Sequence, residues 1–233
     1  DALPIYKNWR MSDETLECYI RQHIEAQMGE TVTFAWQGGE PTMMGLPFFR
    51  RVVALSNQYA RGKKIEHALQ TNGMLVDEEW ARFFAEEHFL VGISIDGPAH
   101  LHNQYRVNRA GKGTHDKVMA AIALLKKHRV EFNTLTVVGK HNVGHPREVY
   151  DFLLATGSRH IQFIPLVERV SSDESSLLQL VMPGESAARL ASWTVPSWQF
   201  GDFLNQIFDI WIRRDVERVI VQMFEVALAA WMG

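Results

Sequence analysis

Thr31-Val32-Thr33-Phe34-Ala35-Trp36 runs directly into Gln37-Gly38-Gly39-Glu40-Pro41, and the reading of this junction decides the fold. The first six residues are short, β-branched and aromatic, and paired glycines stop them, which predicts a buried strand ending in a loop. Upstream, Ser12-Asp13-Glu14 has the form of a helix start. Leu16, Tyr19, Ile20, Ile24 and Met28 then recur at helical spacing, so a helix is expected over 12–28. Downstream the pattern alternates: helix 46–61, strand 65–70, helix 77–87, strand 90–95, helix 114–129, strand 131–138, helix 146–155 and strand 160–164. Five strands alternating with five helices predict an α/β fold. Its sheet should be parallel with right-handed crossovers, and ligands should bind in the loops after the strand C-termini.

The alternation breaks near Val167. Residues 168–198 are rich in Ser, Glu, Ala, Thr and Pro and read as a linker or irregular segment. Two helices, 199–213 and 215–231, are expected to close the chain; Phe200, Phe203, Leu204, Ile207, Phe208 and Trp211 form an apolar stripe on the first. The organisation expected is therefore a core over 1–167, the linker 168–198, and a helical segment over 199–233.

Composition narrows the function classes. A chain of 233 residues with 46% hydrophobic and 22% charged residues is long and apolar enough to build a globular core. A net charge of -3 without a Lys/Arg block speaks against nucleic acid as a partner. The most apolar stretch, 219–232, is too short for a membrane span and carries Gln222 and Glu225, so no membrane partner is expected. Asp1 to Trp9 contain neither a basic start nor an apolar signal core, which makes the cytoplasm the expected location. Cys18, the single cysteine, reads as a small half-buried hydrophobe on a helix.

Three polar clusters fall at consecutive strand exits: Gln37 to Pro41, Thr71-Asn72-Gly73, and Ser94-Ile95-Asp96-Gly97-Pro98. Each alone is explained as a turn. Parallel strands, however, would gather all three at one end of the sheet. Paired glycines let a ligand approach the main chain, while Glu40, Asn72, Ser94 and Asp96 offer donors and acceptors to an amine, a carboxylate and ribose hydroxyls. A zwitterionic, nucleoside-like ligand fits that inventory. Histidine suggests no metal site: Gly144 and Pro146 interrupt a helix around His141 and His145, and His100 and His102 read as loop residues.

Gly38-Gly39-Glu40-Pro41 resembles the GGEP motif of radical S-adenosylmethionine (SAM) enzymes. With Gln70-Thr71-Asn72-Gly73 and Gly92-Ile93-Ser94-Ile95-Asp96-Gly97-Pro98, the pattern is similar to the anaerobic sulfatase-maturase branch, which carries a further cysteine-rich (SPASM) extension. The resemblance implies a partial (β/α)6 barrel of radical SAM type lacking its first strand, with SAM across the strand C-terminal ends. It places Gly38, Gly39, Glu40 and Pro41 at the amino end of the methionine part of SAM, and Thr71, Asn72 and Asp96 among the cofactor-binding residues. Ser94 and Arg106 match positions that contact SAM, and the planar fork of Arg106 suits its carboxylate. Val167 corresponds approximately to an apolar position near the adenine, and Gln37 to a residue close to the reacting centre, making it the catalytic candidate.

The family also requires a 4Fe-4S cluster on a C-x3-C-x2-C loop, and two auxiliary clusters in the C-terminal extension. The resemblance places these cysteines beyond the two ends of this sequence, so the chain reads as a trimmed form of a longer enzyme, with Asp1 to Trp9 as the tail of the cluster loop. The implied reaction uses a 5'-deoxyadenosyl radical to take hydrogen from the β-carbon of a Cys or Ser in a sulfatase, giving formylglycine. Flavodoxin or ferredoxin is implied as electron donor. Radical SAM modification of another peptide, a cluster-independent barrel enzyme, and a non-catalytic scaffold or regulator of sulfatases remain as alternatives.

Overall fold

The computed structural model describes residues 10–171 and 188–233, so the expected cluster-loop tail over 1–9 and much of the expected linker lie outside the described residues. The chain divides into two units, 1–94 with 116–133, and 95–115 with 134–233.

In chain order the elements are α1 (Asp13–Ala26), β1 (Thr31–Trp36), a 3-10 turn (Pro41–Met44), α2 (Leu46–Tyr59), β2 (Lys64–Thr71), α3 (Glu78–Glu86), β3 (Leu90–Ser94), α4 (Ala99–His102), α5 (His115–Lys127), β4 (Phe132–Val138), α6 (Pro146–Thr156), β5 (His160–Pro165), β6 (Arg169–Ser171), β7 (Ala188–Leu190), α7 (Ser197–Arg214), β8 (Ile220–Val221) and α8 (Gln222–Met232). The first unit holds β1, β2 and β3 as parallel neighbours, with Trp36 opposite Leu69 and Thr71 opposite Ile93. In the second, β4, β5 and β8 are parallel neighbours, while β6 and β7 pair antiparallel. The expected α/β alternation with parallel strands is what these pairings build.

Local chemistry explains the boundaries. Ser12 caps α1 by accepting from the Thr15 amide, and Asp77 caps α3 by accepting from the amides of Glu79 and Trp80. Leu16, Ile20 and Ile24, one stripe of α1, are fully buried. Along β1, Val32 and Phe34 are buried while Thr31, Thr33 and Ala35 are exposed, as a period of two requires. Phe34 stacks on His67 of β2 at 5.4 Å, and His67 stacks on Phe89 at 4.9 Å. Phe49, Trp80, Phe83 and Phe84 extend this aromatic core. Such ring pairs add about 0.5–1.5 kcal/mol beyond the area they bury.

Three local expectations require correction. The segment read as irregular carries two short strands, β6 and β7. The helix expected over 215–231 starts only at Gln222: Val219, Ile220 and Val221 are a β-branched run, and Ile220 and Val221 pair beside His160 and Ile161. His100 and His102 are not loop residues; both lie on α4, and His102, which ends it, is fully buried.

Asp215 stops α7. Its carboxylate, nearly inaccessible to solvent, accepts from Tyr150 Oη at 3.0 Å and from Arg214 Nε and Arg218 Nη2 at 2.8 Å each. Burial alone would raise the Asp215 carboxyl, but hydrogen bonds from Arg214, Tyr150 and Arg218 outweigh it and hold the group below the usual carboxylate range. Among the described residues no helix is long and apolar enough to cross a membrane.

Two outcomes are expected. Asp215→Asn should cost about 2 kcal/mol at neutral pH in urea denaturation. The difference from wild type should shrink as the pH falls below about 4, where the wild-type carboxylate also loses its charge; an equally stable variant at pH 7 would remove the carboxylate from the account. Burial pushes His67 down from 6.5 to about 4. The unfolded chain therefore takes up this proton first, and stability is lost as the pH falls from 6.5 towards 4. The melting temperature should drop across that window, less steeply in His67→Phe, and identical slopes would contradict the assignment.

Candidate active site

The three strands of the first unit end together, because they are parallel and adjacent in register. At that end the chain leaves β1 through Gln37, Gly38 and Gly39, all exposed. Gly38 and Gly39 take φ of 106° and 59°, and a Cβ added to either would meet nothing within 4 Å. Their glycine identity therefore follows from backbone conformation, and the main chain lies open above them.

Glu40 ties this loop to the next. Its Oε1 accepts from the Thr42 amide at 3.1 Å, the Thr42 hydroxyl at 2.5 Å and the Thr71 hydroxyl at 2.7 Å, and its Oε2 accepts from the Asn72 amide at 2.7 Å. Thr71 Oγ1 also accepts from the Gly73 amide, and Asn72 Oδ1 from the Met74 amide. One carboxylate thus joins two strand exits that are 31 residues apart. Pro41 is buried at the start of the 3-10 turn, and Ser94, last in β3 and beside Ile93, is also buried. The structure therefore brings Glu40, Thr71 and Asn72 into direct contact and places Gln37 to Pro41 and Ser94 at the same sheet end.

In the second unit, Asp96 and Arg106 form a two-point ion pair, Nε to Oδ2 at 2.6 Å and Nη2 to Oδ1 at 3.1 Å. Asp96 Oδ1 also accepts from the Val137 amide at 2.9 Å. The pair uses two of the guanidinium's five N–H donors. Around it are residues that sequence reading did not single out as site residues. Asn142, fully buried, donates to Asp96 O at 3.1 Å and to Val137 O at 2.9 Å. His102 Nδ1 accepts from the Asp96 amide at 3.2 Å, and burial pushes this histidine down to about 4, so it is neutral at pH 7. No local pattern announces these roles, since each partner is brought in by a chain reversal. Val167 is 60% exposed.

His141 packs its ring at a tilt against Tyr105, centroids 4.7 Å apart, whereas His145 bonds Glu148, so the two histidines serve separate contacts. Among the described residues no group of three His, Cys, Asp or Glu side chains could hold a metal ion.

Residues 4–153 match the radical SAM superfamily. The serine-type anaerobic sulfatase-maturating enzyme of Bacteroides thetaiotaomicron is 44% identical over 224 residues, covering 96% of this chain and 54% of that protein. The cysteine-type enzyme of Clostridium novyi is 34% identical over 207 residues, 88% of this chain and 52% of that protein. The solved structure of native anSMEcpe with bound AdoMet superposes with a TM-score of 0.79 at 34% identity, over 92% of this chain and 55% of that one. The chain thus spans about half the length of the relatives it matches. A match to the superfamily over most of the chain, on a fold that superposes this closely, means that the chain belongs to the radical SAM superfamily.

Proposed function

We propose that this chain is the SAM-binding part of an enzyme that oxidises a Cys or Ser of a sulfatase to formylglycine. The observation that carries this reading is the open Gly38–Gly39 main chain at a parallel strand exit, fastened by Glu40 to Thr71 and Asn72. It is supported by identity to both serine-type and cysteine-type sulfatase-maturating enzymes and by the likeness to anSMEcpe with bound AdoMet and a peptide, at 34% identity and a TM-score of 0.80.

The donor set fits SAM. Exposed main chain at Gly38 and Gly39 suits the methionine amino end, and Pro41 and Glu40 set the course of that loop. Ser94, in the same unit, offers a hydroxyl to the polar groups of SAM. In the second unit, taken by itself, Asp96 orients the Arg106 fork, whose remaining N–H groups suit a carboxylate, and Val167 offers an exposed apolar surface suited to an adenine. Gln37, exposed next to the glycines, is the residue we assign to the reacting centre. An iron–sulfur cluster is a different matter. It needs several thiolates, and Cys18, half-buried on α1, is the single cysteine here, so these residues do not form such a site. When bound, SAM supplies one-electron hydrogen-abstraction chemistry; this chain's residues hold it, orient it and present the peptide to it. A flavodoxin or ferredoxin supplies electrons to the complete protein.

The test is mass spectrometry of sulfatase peptides bearing Ser or Cys, incubated without oxygen with the complete protein, SAM and a reductant. Formylglycine at the target residue is expected; SAM consumption with modification elsewhere, or none, would overturn the sulfatase assignment. A second expectation concerns Glu40. In Glu40→Gln an amide N–H faces a donor, so SAM affinity should fall roughly tenfold, about 1–2 kcal/mol. Unchanged affinity in anaerobic calorimetry would take this loop out of the SAM site.

A further inference from the structure

Arg106 stands at the base of a hairpin in which Val107 bridges to Gly113 and the Asn108 amide donates to Lys112 O at 2.8 Å. That base is closed by the side chains of His102 and Thr114. Since His102 Nδ1 accepts from the Asp96 amide, the neutral ring carries its proton on Nε2, which faces Thr114 Oγ1 at 3.0 Å. The Thr114 hydroxyl donates its one proton to Arg106 O at 2.9 Å, and the Thr114 amide donates to the same oxygen at 3.1 Å. The guanidinium of Arg106 then returns to the Asp96 carboxylate. The bonds form a closed circuit, Asp96 to His102 to Thr114 to Arg106 and back to Asp96, in which His102 and Thr114 are both buried. Asn103 braces the circuit: its Oδ1 accepts from the His115 amide at 3.0 Å, and a Cβ on Gly113 would come within 2.2 Å of its side chain.

A ring of this kind is stiff, because displacing one member breaks two bonds and strands buried donors. We propose that His102 and Thr114 are positioning residues that fix the direction in which Arg106 presents its free N–H groups, and so set the affinity for the carboxylate of SAM. This rests on the placement of Arg106 in the SAM site argued above. Neither side chain touches SAM in this account; both act through Arg106.

The test uses the complete, cluster-loaded protein under anaerobic conditions, with SAM affinity read by calorimetry, peptide KM by turnover, and hydrogen exchange over residues 106–114 as a readout independent of activity. Thr114→Val should weaken SAM binding roughly fivefold or more, leave peptide KM unchanged and speed exchange over the hairpin. Thr114→Ser, which keeps the hydroxyl, should bind SAM within about twofold of wild type. In an Arg106→Lys background, which keeps a charge beside Asp96 but loses the fork, adding Thr114→Val should change SAM affinity by less than about twofold. Equal weakening in both backgrounds, or wild-type affinity in Thr114→Val, would overturn the proposal. Wild-type SAM affinity in Arg106→Lys would instead overturn the placement of Arg106 in the SAM site, with the exchange data still reporting on the circuit. If the valine variant does not fold, Thr114→Ala, which leaves room for water, carries the same comparisons.

Discussion

A carboxylate withdrawn from bulk water must be met by donors, and two of them organise this chain. In the first unit, Glu40 draws the amides and hydroxyls of Thr42, Thr71 and Asn72 around itself, so the exits of β1 and β2 hold a common course. In the second unit the Asp96 carboxylate accepts from Arg106 and the Val137 amide, while its main chain donates to His102 and accepts from Asn142. Within each unit the anchor fixes its neighbours: Glu40 holds the course of the loop that follows the open glycines, and Asp96 holds the Arg106 guanidinium.

The alternating architecture was legible because each element carries its own local signal. Ser12 and Asp77 announce helix starts, Gly38 stops β1, and the apolar stripe of α1 has a single period. Where two signals conflict, reading fails. Val219, Ile220 and Val221 continue an apolar helical pattern, yet the last two are β-branched residues that settle beside His160 and Ile161; only the tertiary contact decides. β6 and β7 are short and fall in a segment whose polar composition resembles that of loops.

The site divides in the same way. The glycines, Glu40 and Ser94 could be singled out because they cluster at strand ends. Their bonding could not: Glu40 meets Thr71 across 31 residues, and Asp96 meets Val137 across 41. His102 reads as a loop histidine until the chain folds its ring against the Asp96 amide. What the sequence reveals is which residues stand near an exit; what it conceals is which of them bond one another. The chain spans about half the length of the sulfatase-maturating relatives it matches.

The near contact between Gly113 and Asn103 bears on how this region can diverge. The neighbouring tip residues Arg109 and Lys112 face solvent and are free to drift in charge and size. Position 113 is different: a Cβ there would lie 2.2 Å from the Asn103 side chain, which would have to shift and loosen its hold on the His115 amide. The packing thus couples these two positions to each other while leaving the hairpin tip independent of both.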